Sequence, residues 1–156
     1  MDCRLWLGLV ARRELSMDIA YAVTPFLAWL TAGSLKFLIN SLKARRWAFG
    51  QIGYGGLPSN HSAIVASTAA LIALREGIGH PAFGVAVTLA FIVMMDANSL
   101  RRQVGRQAEA INRLNAASTG ADQPPLRERM GHTKTEMLAG VLVGIGVALL
   151  VQRIAG

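Results

Sequence analysis

Hydrophobic and polar positions divide this chain into four apolar spans and one span of a different kind. The first runs from Ile19 to Ile39, contains Pro25 and carries one charge, Lys36, near its end. The second runs from Ser59 to Leu74 and is stopped by Arg75-Glu76-Gly77. The third runs from His80 to Met95 and is stopped by Asp96; the fourth runs from Thr135 to Val151, ahead of Arg153. Each is apolar on all sides rather than along one stripe, which suits a helix facing lipid on one side and protein on the other. A crossing takes roughly 20 residues at 1.5 Å of rise per residue. The first span meets that length and the other three are shorter, so buried helices of a soluble bundle stand as the alternative.

Between the third and fourth spans the pattern changes. Leu100, Val104, Ile111 and Leu114 recur at helical spacing among Arg101, Arg102, Arg106, Glu109 and Arg113. This predicts an amphipathic helix lying at the membrane surface. Residues 116–125 then read as a polar loop with Gly and Pro. The prediction is an all-α, polytopic membrane bundle of about four membrane helices plus an interfacial helix. Residues 1–16 form an N-terminal tail and residues 17–156 a single membrane-embedded domain. The apolar patch in the tail, Leu5 to Ala11, is too short for a secretory signal.

Spans that alternate in direction bring particular ends together. The end of span 1, the start of span 2, the end of span 3 and the start of span 4 share one side. Those places hold Lys36 and Lys43, His61, Asp96, and His132 with Glu136. Ionisable groups at membrane depth are costly and usually functional.

Composition narrows the class. The chain is 53% hydrophobic but only 6% aromatic, and its 16 glycines fall largely inside apolar runs, which suits close helix packing in lipid. Gly140-x-x-x-Gly144 in the fourth span is such a pattern. The net charge of +7 points to anionic head groups or a phosphate substrate rather than to nucleic acid, since no nucleic-acid-reading motif is present. The single Cys3 excludes an intramolecular disulfide.

The converging residues suit phosphate chemistry. His132 and Glu136 are four apart at a helix start and share a face, so the carboxylate can hold one ring nitrogen and leave the other as nucleophile or base. The plainer alternative is a capping box, Thr133-x-x-Glu136. His61 follows Pro58-Ser59-Asn60 at another helix start, where free backbone N–H groups suit a phosphate and the imidazole can protonate a leaving oxygen. Capping or packing is its alternative. Lys36, Lys43, Arg46, Arg101 and Arg102 are candidate clamps for phosphate oxygens, and Asp96 a support for Arg101 or Arg102. The positive-inside rule accounts equally well for basic loops, and for Arg45, Arg106 and Arg113 it is the reading adopted. No residue group has metal-site spacing, so neither metal nor other cofactor is called for.

Three blocks occur in order: Gly55-Gly56-Leu57-Pro58-Ser59-Asn60-His61-Ser62-Ala63, Asp96-Ala97-x-x-x-Arg101-Arg102, and Gly131-His132-Thr133-x-x-Glu136-x-x-Ala139-Gly140. Together they resemble the divergent branch of the type 2 phosphatidic acid phosphatase family, also described as acid phosphatase/vanadium-dependent haloperoxidase-related. The resemblance implies His132 as a nucleophile that becomes phosphohistidine, Glu136 as its orienting acid, His61 as general acid, Ser59 and Asn60 in the phosphate cradle, and no metal. Lys36-x6-Lys43 matches the first superfamily motif loosely. Asn60 stands in place of a glycine, Glu136 in place of an aspartate, and Leu126 where the third motif has arginine, so Arg101 or Arg102 supplies that charge. Superfamily members often have six membrane helices, which leaves open a minimal core or one that needs a partner subunit, with a homo-oligomer among the options.

The expected function is hydrolysis of a lipid phosphate monoester, with membrane lipids and an anionic lipid phosphate as partners. The rival is a non-catalytic lipid-phosphate carrier or scaffold that keeps the anion site. The expected place is a plasma or inner membrane, with the reactive face cytoplasmic.

Overall fold

The computed structural model describes residues 3–45, 47, 56–117, 124–128 and 130–155, with side chains described from residue 19 onward. Among these residues five helices follow in order: α1 (Cys3–Ala44), α2 (Asn60–Arg75), α3 (Pro81–Asn98), α4 (Leu100–Ala117) and α5 (Lys134–Ala155). The described residues contain no strand. Helix α1 begins at Cys3, so the segment expected as a tail continues the first span; Pro25 lies within the helix without ending it.

Among the described residues three helical stretches are long and apolar enough to cross a membrane: Ile19–Ala44, Pro81–Ala117 and Lys134–Ala155. The 22 residues of the last reach about 33 Å, against a hydrocarbon core of about 30 Å. The second predicted span forms α2, whose 16 residues reach only about 24 Å. It is the inner helix, with α1, α3 and α5 all packed around it.

Small residues make this packing possible. The core holds Ala20, Ala28, Ala32, Ala63, Leu71, Val147 and Ala148. A Cβ on Gly140 would strike the Ser59 carbonyl, and one on Gly144 the Ala63 carbonyl and, at 2.9 Å, the Ser67 nitrogen. The Gly140-x-x-x-Gly144 stripe therefore lets the α5 and α2 backbones meet directly. The large apolar side chains point outward: Phe26 is 67% exposed, Val85 70% and Leu142 62%. Small inside and large outside suits hydrocarbon as the surrounding solvent.

Hydroxyls within the spans bond to their own helices. Thr24 Oγ1 donates to the Ala20 carbonyl (2.6 Å), Ser67 Oγ to Ile64 (2.8 Å) and Thr88 Oγ1 to Gly84 (2.9 Å). Such back-bonding lets a polar residue sit at membrane depth without an orphaned group. At the end of the bundle away from His61, Tyr21 Oη donates to Glu76 Oε1 (2.5 Å). Arg75 lies 5.2 Å from the Tyr21 ring centre and donates from Nε to Gln152 Oε1 (2.7 Å). That cluster ties α1, α2 and α5 together there.

Only Ser99 separates α3 from α4, and hydrogen bonds run across it, from Ser99 N to the Met95 carbonyl (2.8 Å) and from Gln103 N to the Ser99 carbonyl (3.1 Å). Helix α4 is amphipathic as expected, with Leu100, Val104, Ile111 and Leu114 exposed. Its Gly105 and Ala108 are buried. Against that face lies an extended strap, residues 124–128, which returns the chain toward α5. Gly105 admits the Glu128 carbonyl, and the Asn112 side chain imitates a backbone amide: Nδ2 donates to the Leu126 carbonyl and Oδ1 accepts from Leu126 N, both at 2.8 Å.

Candidate active site

The strap delivers His132. Gly131, at φ 95°, turns the chain tightly over the α3–α4 junction, a backbone conformation in which a side chain would be strained. His132 N then donates to the Ala97 carbonyl at 3.1 Å. Ala97 lies four residues before Arg101, so this carbonyl is one that an unbroken helix would use internally. The junction thus serves as the anchor of His132, whose side chain is buried.

Helix α5 begins with a complete capping box. Glu136 N donates to Thr133 Oγ1 (3.2 Å), and Thr133 N donates to Glu136 Oε2 (2.9 Å). The same Oε2 lies 3.2 Å from His132 Nδ1. The two sequence alternatives for Glu136 therefore coexist: one carboxylate closes the cap and orients the imidazole. With Nδ1 donating to Glu136, His132 Nε2 carries the lone pair.

His132 lies outside the membrane-spanning segments, and its pKa is lowered from the usual 6.5. Burial is the main cause, with Lys36 and Arg101 adding to it against the Glu136 contact, which pulls upward. The ring is therefore neutral at neutral pH.

His61 stands on the second residue of α2, opposite His132, with ring centres 5.7 Å apart and planes tilted by 56°. Ser59 caps α2: Oγ accepts from Ser62 N (3.3 Å) and contacts Ser62 Oγ (3.1 Å), while Ser59 N donates to the Glu136 carbonyl (2.9 Å). The start of α2 is thereby pinned to the start of α5, which fixes the two histidines relative to each other.

The predicted cations divide. Lys36 on α1 is half-buried, and its charge acts on both histidines and on Glu136. Arg101 NH2 lies 3.2 Å from His61 Nε2. Arg102 instead donates to Asn98 Oδ1 (3.1 Å). Lys43 is exposed in the last turn of α1, about 10 Å along the helix from Lys36. Arg46 falls outside the described residues. Asp96 is close enough for its charge to act on His61. Asn60 is half-buried, with Nδ2 facing Gly33 of α1 and Oδ1 buried without a hydrogen-bond partner among the described residues. Arg113, taken as solvated, pairs with Glu109 on the exposed side of α4.

The sequence reading missed three positioning elements: the Ala97 carbonyl, Asn98 and Asn112. Only Asn112 left a trace, as a polar residue interrupting a helical pattern. Backbone carbonyls leave none.

The profile of the divergent PAP2 family matches residues 18–147, a range that includes every residue of this site. The chain belongs to the divergent PAP2 family. YuiD of Bacillus subtilis (strain 168), described as an uncharacterized membrane protein, is 34% identical over 110 residues, covering 62% of this chain and 70% of the relative. No solved structure matches the chain. With three apolar crossing helices and a membrane relative, this divergent PAP2 protein is an integral membrane protein with an all-helical fold.

Proposed function

We propose that this protein hydrolyses a phosphate monoester on a membrane lipid through a phosphohistidine formed on His132. The observation that carries the reading is the pairing of two imidazoles, 5.7 Å apart, one oriented by a carboxylate and the other beside a guanidinium. A phosphoryl group seated between them meets a nucleophile on one side and a proton donor on the other. His132 Nε2 attacks phosphorus as the P–O bond to the lipid breaks, and His61 Nε2–H gives its proton to the departing oxygen. Water then attacks phosphorus and gives a proton to His61; as the new O–P bond forms, the P–N bond breaks and its electron pair returns to His132 Nε2. Arg101 and Lys36 hold the non-bridging oxygens, so that Arg101 supplies the charge for which Leu126 leaves no arginine.

A lipid substrate accords with a site at one end of a membrane bundle beside an amphipathic helix. Phosphatidic acid, phosphatidylglycerophosphate and isoprenyl phosphates are the candidates. The excess of Lys and Arg around the site supports a cytoplasmic face, in a plasma or inner membrane.

The test is phosphate release by the protein in nanodiscs containing each candidate lipid. Release by wild type that is abolished in His132→Ala and His61→Ala is the expected result. Lipid phosphate binding with no release by wild type instead identifies a non-catalytic carrier.

A further inference from the structure

We infer that Arg101 serves two partners in turn. In the empty site it holds His61 in a tautomer unable to donate a proton toward His132, and an arriving phosphoryl group draws it away. This rests on the phosphatase reading for its place in a reaction, but its structural content is separate.

The argument starts from hydrogen-bond inventory. Arg101 NH2 and His61 Nε2 are 3.2 Å apart. A guanidinium has donors only and stays charged, so Nε2 must be the acceptor and the ring proton must sit on Nδ1. Nδ1 is buried with no hydrogen-bond partner among the described residues. Among the described residues, then, Arg101 is the group that selects the tautomer. Nε2 is the nitrogen that reaches the site, and in the empty protein it has no proton to give.

The charged neighbours of His61 come from every side: Lys36 on α1, Asp96 on α3, Arg101 on α4, and His132 ahead of α5. With Arg101 in contact, a second positive charge on the ring is opposed. A phosphoryl group changes this balance. Its oxygens match the fork of a guanidinium far better than one neutral ring nitrogen does. As Arg101 turns to them, Nε2 is released and takes the proton of the phosphate monoanion. The phosphoryl group becomes the dianion and His61 the imidazolium. When the P–O bond to the lipid breaks, that proton passes from Nε2 to the departing oxygen and His61 returns to its Nδ1–H form. The proton on the product alcohol is thus the one that the phosphate carried in. The general acid is charged only when a phosphoryl group is present.

The test uses the full-length protein in nanodiscs with 15N-labelled histidine, His61 and His132 being assigned with His61→Asn and His132→Asn. Spectra are taken at pH 7.5 with and without orthovanadate, a mimic of five-coordinate phosphorus. The expected result is an unprotonated Nε2 and a protonated Nδ1 at His61 without vanadate, and a protonated Nε2 with it. The His132 signal reports that the anion has bound. In Arg101→Met the empty protein should show a mixture of His61 tautomers. If His132 responds and His61 does not, or if His61 already carries a proton on Nε2 in the empty protein, the inference is overturned and the phosphatase reading survives. If both respond but no lipid phosphate is hydrolysed, the inference stands and the phosphatase reading falls. If neither responds, both fall.

Discussion

His132 Nδ1 and Glu136 Oε2 lie 3.2 Å apart, and that oxygen also accepts the Thr133 N–H at 2.9 Å. One carboxylate thus joins the geometry of the proposed nucleophile to the start of helix α5. The two duties separate by mutation. Thr133→Ala removes the hydroxyl that caps Glu136 N and leaves the contact to His132 in place. It should cost about 1 kcal/mol of stability, as lost N-caps do, with turnover per folded molecule kept within about twofold. Glu136→Gln should lower turnover by roughly 10²-fold or more, since the orienting charge is lost. Thermal unfolding in detergent and phosphate release per folded molecule measure the two effects. Equal loss of turnover in both variants would mean that the cap, rather than the carboxylate, sets the activity.

The glycines of α5 are predicted to differ sharply. Gly140 and Gly144 meet the α2 backbone, whereas nothing among the described residues lies within 4 Å of a Cβ at Gly146. Gly144→Ala should destabilise by about 1–3 kcal/mol through overpacking. Gly146→Ala should be neutral or stabilising by up to about 1 kcal/mol, because alanine is the better helix former. Unfolding midpoints of the two variants, side by side, check the pair.

The acidity of His132 sets a pH dependence. Its folded-state pKa is lowered from 6.5, chiefly by burial, so the reactive neutral form persists below that value. Activity is expected to hold as pH falls through 6.5 and to decline only on passing the lower folded-state pKa. Stability follows the same sign: the unfolded chain binds the proton more readily, so the contribution of His132 is complete above pH 6.5 and is lost as pH falls toward the folded-state value. A pH profile of kcat/KM with its acidic limb at or above 6.5 would contradict the burial account.

Asn112 lies far along α4 from the histidines, yet it holds the strap that carries His132 through paired 2.8 Å bonds to Leu126. Asn112→Ala removes both and the further bond to Glu128 Oε1 at 2.9 Å. Turnover should fall about threefold to tenfold, equivalent to about 1 kcal/mol in positioning, with KM little changed. Hydrogen exchange over residues 124–128 should rise in the same variant. Unchanged exchange would show that the strap is held without it.

What the sequence determined was the lipid-facing character of the spans and the end of the bundle that collects the chemistry. Both are properties of order and hydropathy: spans that alternate direction must bring His61, Asp96 and His132 to one side. It also brought Glu136 to His132, because residues four apart on a helix share a face. Local arithmetic did not reach the rest. Arg101 and Arg102 are adjacent and chemically equal in sequence, but they point about 100° apart around α4. One meets His61 and the other Asn98. The depth of α2 was equally hidden, because an apolar helix reads alike whether lipid or protein surrounds it. The packing of α1, α3 and α5 around it, closest where α5 crosses at Gly140 and Gly144, makes it the inner helix. The anchor of His132 is a backbone carbonyl, at Ala97, and every residue has one. Tertiary structure decided which carbonyl was placed within reach.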